Sequence, residues 1–211
     1  MQKGVQMSAE QILKTNKMIP VINVSNLDLM LDLARALVKG GVRILEITLR
    51  NENAFKAIEL VAKEVEGAIV GVGTIKNAKD LEGAIKAGAK FAITPGLSLK
   101  LANDIKSCEI PVIPGISTAG ELINALDFGY KYLKLFPASA VGGVNLLKAF
   151  ASPFSEVSFC PTGGIDFNNA KDYLALPNVL CVGSSALCPT DLVNKRDFAQ
   201  ITELAKKSCE L

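Results

Sequence analysis

Eight short apolar runs, separated by helix-period segments, constrain this chain more than any other feature. They read MIPVINV (18–24), VRILEIT (42–48), AIVGVG (68–73), KFAIT (90–94), IPVIPG (110–115), KYLKLF (131–136), VSFCPTG (157–163) and VLCVGSS (179–185). Successive runs begin roughly 20–25 residues apart, which is the length a strand, a helix and two turns consume. In the first intervening segment Leu29, Leu33 and Leu37 recur on one helical face, with Ser25 as the expected N-cap and Gly40-Gly41 as the stop. Thr118 and Glu121 have the spacing of a capping box, and NAKDLEGAIKAGAK carries another amphipathic helix that ends at Gly88. Strands alternating with helices predict a parallel sheet, and eight such units is the count of a (β/α)8 TIM barrel. The expectation is a single domain over residues 1–211, with an extra N-terminal helix near residues 8–16 closing the bottom of the barrel. A doubly wound open sheet is the alternative. It gains little from Gly71-Val72-Gly73, which lacks the third glycine of the dinucleotide fingerprint.

Composition narrows the chemistry. About half of the 211 residues are apolar (49%), enough for a sizeable core. A net charge of +2 argues against nucleic acid or an anionic membrane surface as the main partner. No apolar run reaches the ~18 residues of a membrane span, and the polar N-terminus MQKGVQMSAEQILKTNK lacks the apolar core of a secretory signal. Five cysteines, at 108, 160, 181, 188 and 209, form no CxxC pair, so reduced thiols in a cytosol are the plain expectation. The chain has no histidine. That disfavours a triad hydrolase or a His-ligated metal site, and leaves Lys, carboxylates, hydroxyls and backbone dipoles to do any chemistry.

Two strands carry charges where a core belongs. In VRILEITLR, Ile44, Glu46 and Thr48 alternate with Leu45, Ile47 and Leu49; in YKYLKLFPA, Tyr132, Lys134 and Phe136 alternate with Leu133 and Leu135. The leucine-rich faces suit a helix layer, which sends Glu46 and Lys134 inward. Such a pair is either a structural ion pair or a functional one. Burying it is seldom a gain in stability, because desolvation offsets attraction. Burial also disfavours an ammonium, and a neutral amine attacks a carbonyl to form a Schiff base. A carboxylate beside it supplies proton transfers.

Strand ends add a second set of candidates, since barrel chemistry collects there. Gly163-Gly164 follows the seventh run, and Gly183, Ser184 and Ser185 end the eighth. Glycine-serine loops at these two positions commonly hold a phosphate. Arg50, Thr74 and Thr162 fall just past strand ends, where Arg50 suits a carboxylate and Thr74 a hydrogen bond, although surface-arginine and helix-cap roles fit them equally. Pro95 and Phe136 read on position alone as turn and core residues.

These motifs together, GGVRILEITLR, VGVGT, FAITPGL, PVIPGIST, LKLFPA and FCPTGGI, resemble the bacterial 2-keto-3-deoxy-6-phosphogluconate (KDPG) aldolases, also called 4-hydroxy-2-oxoglutarate (KHG) aldolases. The resemblance runs from about residue 8 to the C-terminus. It implies a class I aldolase on a (β/α)8 barrel, a cytoplasmic homotrimer, no metal, and no cofactor beyond a covalent lysine Schiff base. By position it implies Lys134 as the Schiff-base residue and Glu46 as the proton shuttle. Arg50 and Thr74 would contact the pyruvyl carboxylate region, and Pro95, Phe136 and Thr162 would line the pyruvyl pocket. Gly163, Gly164, Gly183, Ser184 and Ser185 would take the phosphate of a phosphorylated 2-keto acid. The chain departs from the family's frequent Gly-Gly-Ser-Trp at Gly183-Ser184-Ser185-Ala186, where a serine replaces a glycine and an alanine a bulky aromatic. A paralogue for the galactonate epimer, or a non-catalytic phosphosugar-binding barrel, remains the alternative at this point.

Overall fold

The parallel sheet is made of short strands whose two faces have different jobs. The structure, a computed structural model, describes residues 6–23 and 25–211; Val24, the end of the first predicted run, lies outside them, as do residues 1–5. The strands are β1 (Met18–Ile22), β2 (Ile44–Thr48), β3 (Ile69–Gly73), β4 (Ala92–Ile93), β5 (Val112–Ile113), β6 (Gly115–Ile116), β7 (Tyr132–Leu135), β8 (Ser158–Pro161) and β9 (Val182–Ser184). The helices through the middle of the chain are α1 (Ala9–Thr15), α2 (Leu27–Lys39), α3 (Ala54–Glu64), α4 (Ala78–Lys86), α5 (Leu99–Ile105) and α6 (Ala119–Asp127). They continue as α7 (Gly143–Ala151), α8 (Ala170–Leu174), α9 (Thr190–Asn194) and α10 (Phe198–Cys209).

Hydrogen bonding orders the sheet in two segments, β5-β4-β3-β2-β1-β9 and β6-β7-β8. Isolated parallel bridges at Phe159↔Val179 and Thr162↔Gly183 join β8 to the β9 side. The fifth predicted strand is split between β5 and β6 at Pro114, whose ring leaves no N–H for the ladder. The Pro114 carbonyl still accepts from Lys134 N at 2.8 Å, so the chain stays beside β7 through the break.

Side chains sort by face as strand alternation requires. Leu45 and Ile47 of β2, and Leu133 and Leu135 of β7, pack in the cluster that includes the helix residues Leu33, Leu37, Ile58 and Leu122. The opposite face contributes a smaller cluster, with Ile19, Ile44, Phe91, Ile93, Ile113, Cys160 and Cys181. Ile12 and Leu13 of α1 belong to that inner cluster and are fully buried. α1 is stopped at its start by Ser8, which forms a full capping box with Gln11. Thr118 and Glu121 form the predicted box on α6. The expected cap of α2 shifts by one residue: Asn26, not Ser25, accepts from Asp28 N.

Candidate active site

Inward alternation on β2 and β7 brings one carboxylate and one amine together at the sheet's concave face. Lys134 Nζ donates to Glu46 Oε1 at 3.3 Å, across a separation of 88 residues in sequence. Lys134 is 4% exposed and Glu46 1%, so this is an interior ion pair. The ammonium also sits 5.1 Å from the ring centroid of Phe136, the next inward residue on the same strand path. Beneath the pair the floor is apolar (Ile44, Ile113, Cys160 and Cys181 among others), which keeps bulk water from below.

Two buried cysteines, Cys181 in this floor and Cys188 in the helix-side cluster, are poor rivals to Lys134 as nucleophile. Burial, then a hydrogen bond with Cys160, pushes the Cys181 thiol well above its ordinary range. Cys188 is pushed up to about 12 by burial alone. Both stay protonated near neutrality, and the protonated thiol is not the reactive form.

The remaining candidates occupy the ends of neighbouring strands. Arg50 lies two residues past β2, is exposed, and has no carboxylate partner among the described residues. Thr74 follows β3 with φ of 68°, a left-handed conformation that costs a β-branched residue energy and is concentrated at functional sites. Pro95 follows β4 and is held by Thr94, whose Oγ1 donates to Gly96 O at 2.7 Å and accepts from Gly115 N at 3.1 Å. Thr162 follows β8 directly, is 5% exposed, and packs against Gly183 so closely that a Cβ there would lie 2.2 Å from its Oγ1.

Past Thr162 the chain turns through two left-handed glycines, Gly163 (φ 104°) and Gly164 (φ 72°), conformations that glycine takes without a Cβ penalty. The turn is pinned on the segment after Phe136: Ala138 N donates to Thr162 O at 2.8 Å and Ser139 N to Gly163 O at 3.1 Å. Ser139 Oγ and Asn169 Nδ2 both donate to Gly164 O, at 3.0 and 2.9 Å. Ser184 is buried and its hydroxyl is already spent, donating to Ile165 O at 2.5 Å and accepting from Ala186 N at 3.0 Å. It therefore ties the 183–186 loop to the 163–165 loop. Ser185, in contrast, is exposed, and it borders a cavity of about 350 Å³ between Asn23 and Asn26 on one side and Val193 and Asn194 of α9 on the other. Neither Lys134 nor Glu46 lines that cavity.

A family model described as KDPG and KHG aldolase matches residues 9–204. The chain belongs to the KDPG and KHG aldolase family. It is 51% identical over 208 residues to the KHG/KDPG aldolase of Escherichia coli, an alignment covering 99% of this chain and 98% of that one. Among solved structures it resembles the KDPG aldolase of Legionella pneumophila with pyruvate captured as a covalent carbinolamine, with a TM-score of 0.94 and 39% identity over 96% of this chain and 98% of that one. The Zymomonas mobilis KDPG aldolase with 3-phosphoglycerate matches with a TM-score of 0.92 and 39% identity over 97% and 96% of the two chains.

Within this aldolase the predicted residues fall into groups. Lys134 meets both Glu46 and the Phe136 ring; Thr162 meets Gly183; Gly163 and Gly164 are joined to Ser184 through Ile165. Arg50, Thr74 and Pro95 stand just past the ends of β2, β3 and β4, and among the described residues none of them shares a side-chain hydrogen bond with Lys134. Three supporting residues escaped sequence reasoning: Thr94, Ser139 and Asn169. Their hydroxyl and amide types match ordinary turn chemistry, so only the fold reveals that they aim at the site's own loops.

Proposed function

We propose that this chain is a class I aldolase that cleaves KDPG to pyruvate and glyceraldehyde 3-phosphate through a Schiff base on Lys134. The observation that carries the reading is the amine of Lys134 held in a dry interior at 3.3 Å from the Glu46 carboxylate, in a chain of the KDPG and KHG aldolase family. Lys134 passes its proton to Glu46 and the neutral Nζ attacks the C2 carbonyl; Glu46 then returns the proton to the carbinolamine hydroxyl, which leaves as water to give the iminium. Glu46 takes the proton of the C4 hydroxyl, and the C3–C4 bonding pair flows into the iminium as the aldehyde leaves. The resulting enamine accepts a proton at C3, and one water hydrolyses the pyruvyl iminium to release pyruvate and the free amine. No metal enters these steps.

Arg50 and Thr74 are assigned to the substrate carboxylate, with Pro95, Phe136 and Thr162 around the pyruvyl group. Gly163, Gly164 and Ser185 are assigned to the phosphate, with Gly183 and Ser184 supporting them. Left-handed glycines with free N–H groups and an exposed hydroxyl suit an anion. The same site is assigned the cleavage of 4-hydroxy-2-oxoglutarate to pyruvate and glyoxylate, a reading supported by the name of the E. coli relative. We read residues 1–211 as one domain and the two sheet segments as one closed (β/α)8 barrel. Its seams are the Pro114 break and the 162–183 bridge, and its bottom is closed by α1. Five unpaired cysteines suit a reducing cytoplasm. A homotrimer is the assembly the family resemblance implies, and no spanning helix occurs among the described residues.

Borohydride reduction in the presence of pyruvate tests the chemistry. The expected product is a three-carbon adduct on the peptide carrying Lys134, with turnover lost in parallel and undiminished turnover in chelator. An adduct on another lysine, or full activity in Lys134→Ala, overturns the assignment.

A further inference from the structure

We propose that Gly73 is a positioning residue for this reaction: its missing side chain is the space into which the Glu46 carboxylate extends to meet Lys134. The inference rests on the reading of Glu46 as the proton carrier.

Registers place the two residues on neighbouring strands but not at one level. Glu46 pairs with Gly71, and Gly73 pairs with Thr48, two residues nearer the strand ends. The Glu46 side chain therefore leans toward the mouth and lies over Gly73. A Cβ built on Gly73 would stand 2.2 Å from Glu46 Oε1 and 2.9 Å from its Cδ and Cγ. Oε1 is the same oxygen that accepts from Lys134 Nζ.

Backbone conformation gives no other reason for glycine here, because Gly73 is not among the residues with positive φ. Nor is it a twin of Gly71, whose absent Cβ makes room for the Phe91 ring at 2.2 Å. One glycine of the GVG pair thus serves the apolar floor and the other the carboxylate above it. The three nearest atoms at Gly73 all belong to one flexible side chain, not to backbone. An alanine there is relieved by moving Glu46, so the fold survives and the geometry is lost. A carbon–oxygen contact relaxes to about 3.3 Å, which moves Oε1 by about 1 Å, and a displacement of that size costs about 10²-fold in rate.

Four proteins test this: the unaltered chain, Gly73→Ala, Glu46→Ala with its residual turnover, and the two substitutions combined. Gly73→Ala is expected to lower kcat about 10²-fold while KM for KDPG stays within about twofold. In the Glu46→Ala chain no carboxylate faces position 73, because all three atoms that crowd a Cβ there are gone. There Gly73→Ala should change kcat by no more than about twofold, the scatter of independent sites. Unchanged kcat in Gly73→Ala, or an equal loss in both backgrounds, overturns the proposal. Glu46→Gln separates it from the reading beneath it. An active Gln variant removes the role of Glu46 itself, whereas an inactive Gln variant beside a fully active Gly73→Ala removes only the role of Gly73. Should Gly73→Ala fail to fold, Glu46→Ala in the same chain decides: recovered folding supports the contact, and continued failure overturns it.

Discussion

Replacing Lys134 with methionine keeps the length of the side chain and removes its charge, leaving the Glu46 carboxylate buried without its ammonium. Glu46 is 1% exposed, and Lys134 is its one hydrogen-bond partner among the described residues. Breaking a buried pair on one side costs about 3–5 kcal/mol. In a chain of this size each kcal/mol moves the melting midpoint by about 2–4 °C, so Lys134→Met should melt roughly 6–20 °C lower. Glu46→Leu should cost less, because the orphaned ammonium keeps the face of Phe136 at 5.1 Å, a contact worth about 0.5–2 kcal/mol. The combined Lys134→Met/Glu46→Leu chain should recover most of the loss or exceed the unaltered protein by about 1–4 kcal/mol. Its new side chains continue the apolar floor formed by Ile19, Ile44 and Ile113. Thermal and urea denaturation of all four proteins at one protomer concentration measures this, and borohydride trapping confirms that the two chains carrying Lys134→Met have lost the adduct. A Lys134→Met chain that melts with the unaltered protein, or a double variant less stable than both singles, would refute the view that the pair is kept for chemistry at a cost in stability.

Two further outcomes follow from the loops and thiols. Ser184→Ala removes the hydroxyl that ties the 183–186 loop to Ile165 O. One hydrogen bond is worth about 1 kcal/mol, so KM for KDPG should rise about fivefold while KM for unphosphorylated 4-hydroxy-2-oxoglutarate stays level; equal changes in both would sever Ser184 from phosphate binding. The Cys188 thiol, held up to about 12 by burial, keeps its proton in the folded chain when the unfolded chain has lost it. Its contribution is complete below about pH 8.5 and declines by about 1.4 kcal/mol per pH unit above that. The stability difference between the unaltered chain and Cys188→Ala should therefore shrink by that slope between about pH 9 and 11, and a pH-independent difference would contradict it.

The face of each strand was legible because period-two alternation is local. Leu45 and Ile47 against Glu46, and Leu133 and Leu135 against Lys134, declare two sides without any knowledge of neighbours. Features set by register were not legible. Gly73 and Gly183 look alike in sequence, and only the pairing across strands shows that one faces Glu46 and the other Thr162. The GVG stretch accordingly read only as an incomplete nucleotide fingerprint, and nothing in the sequence pairs Gly183 with Thr162. Residue type likewise does not reveal that the Ser184 hydroxyl donates to Ile165 O. Ser25 and Asn26 are both good caps, so their order in the loop could not say which one closes α2. The split at Pro114 was visible as a proline but not as a break, since edge and interior positions differ only in the fold.

The catalytic pair itself measures the curvature of the sheet. Counting through the hydrogen-bonded order, β2 and β7 are separated by β1, β9 and β8, which makes four inter-strand steps. With neighbouring strands about 4.8 Å apart, a flat sheet would hold these two strands about 19 Å from each other. A lysine and a glutamate extended straight out from the same flat face point in parallel and never meet. Their contact at 3.3 Å requires the sheet to bend until inward normals from β2 and β7 converge. An open doubly wound sheet supplies no such convergence, because helices cover both of its faces. The alternation that buries Glu46 and Lys134 therefore yields a reactive pair only in a curled sheet. In that geometry the inward face of β3 must lack bulk, since a Cβ at Gly73 would meet Glu46 and one at Gly71 would meet the Phe91 ring.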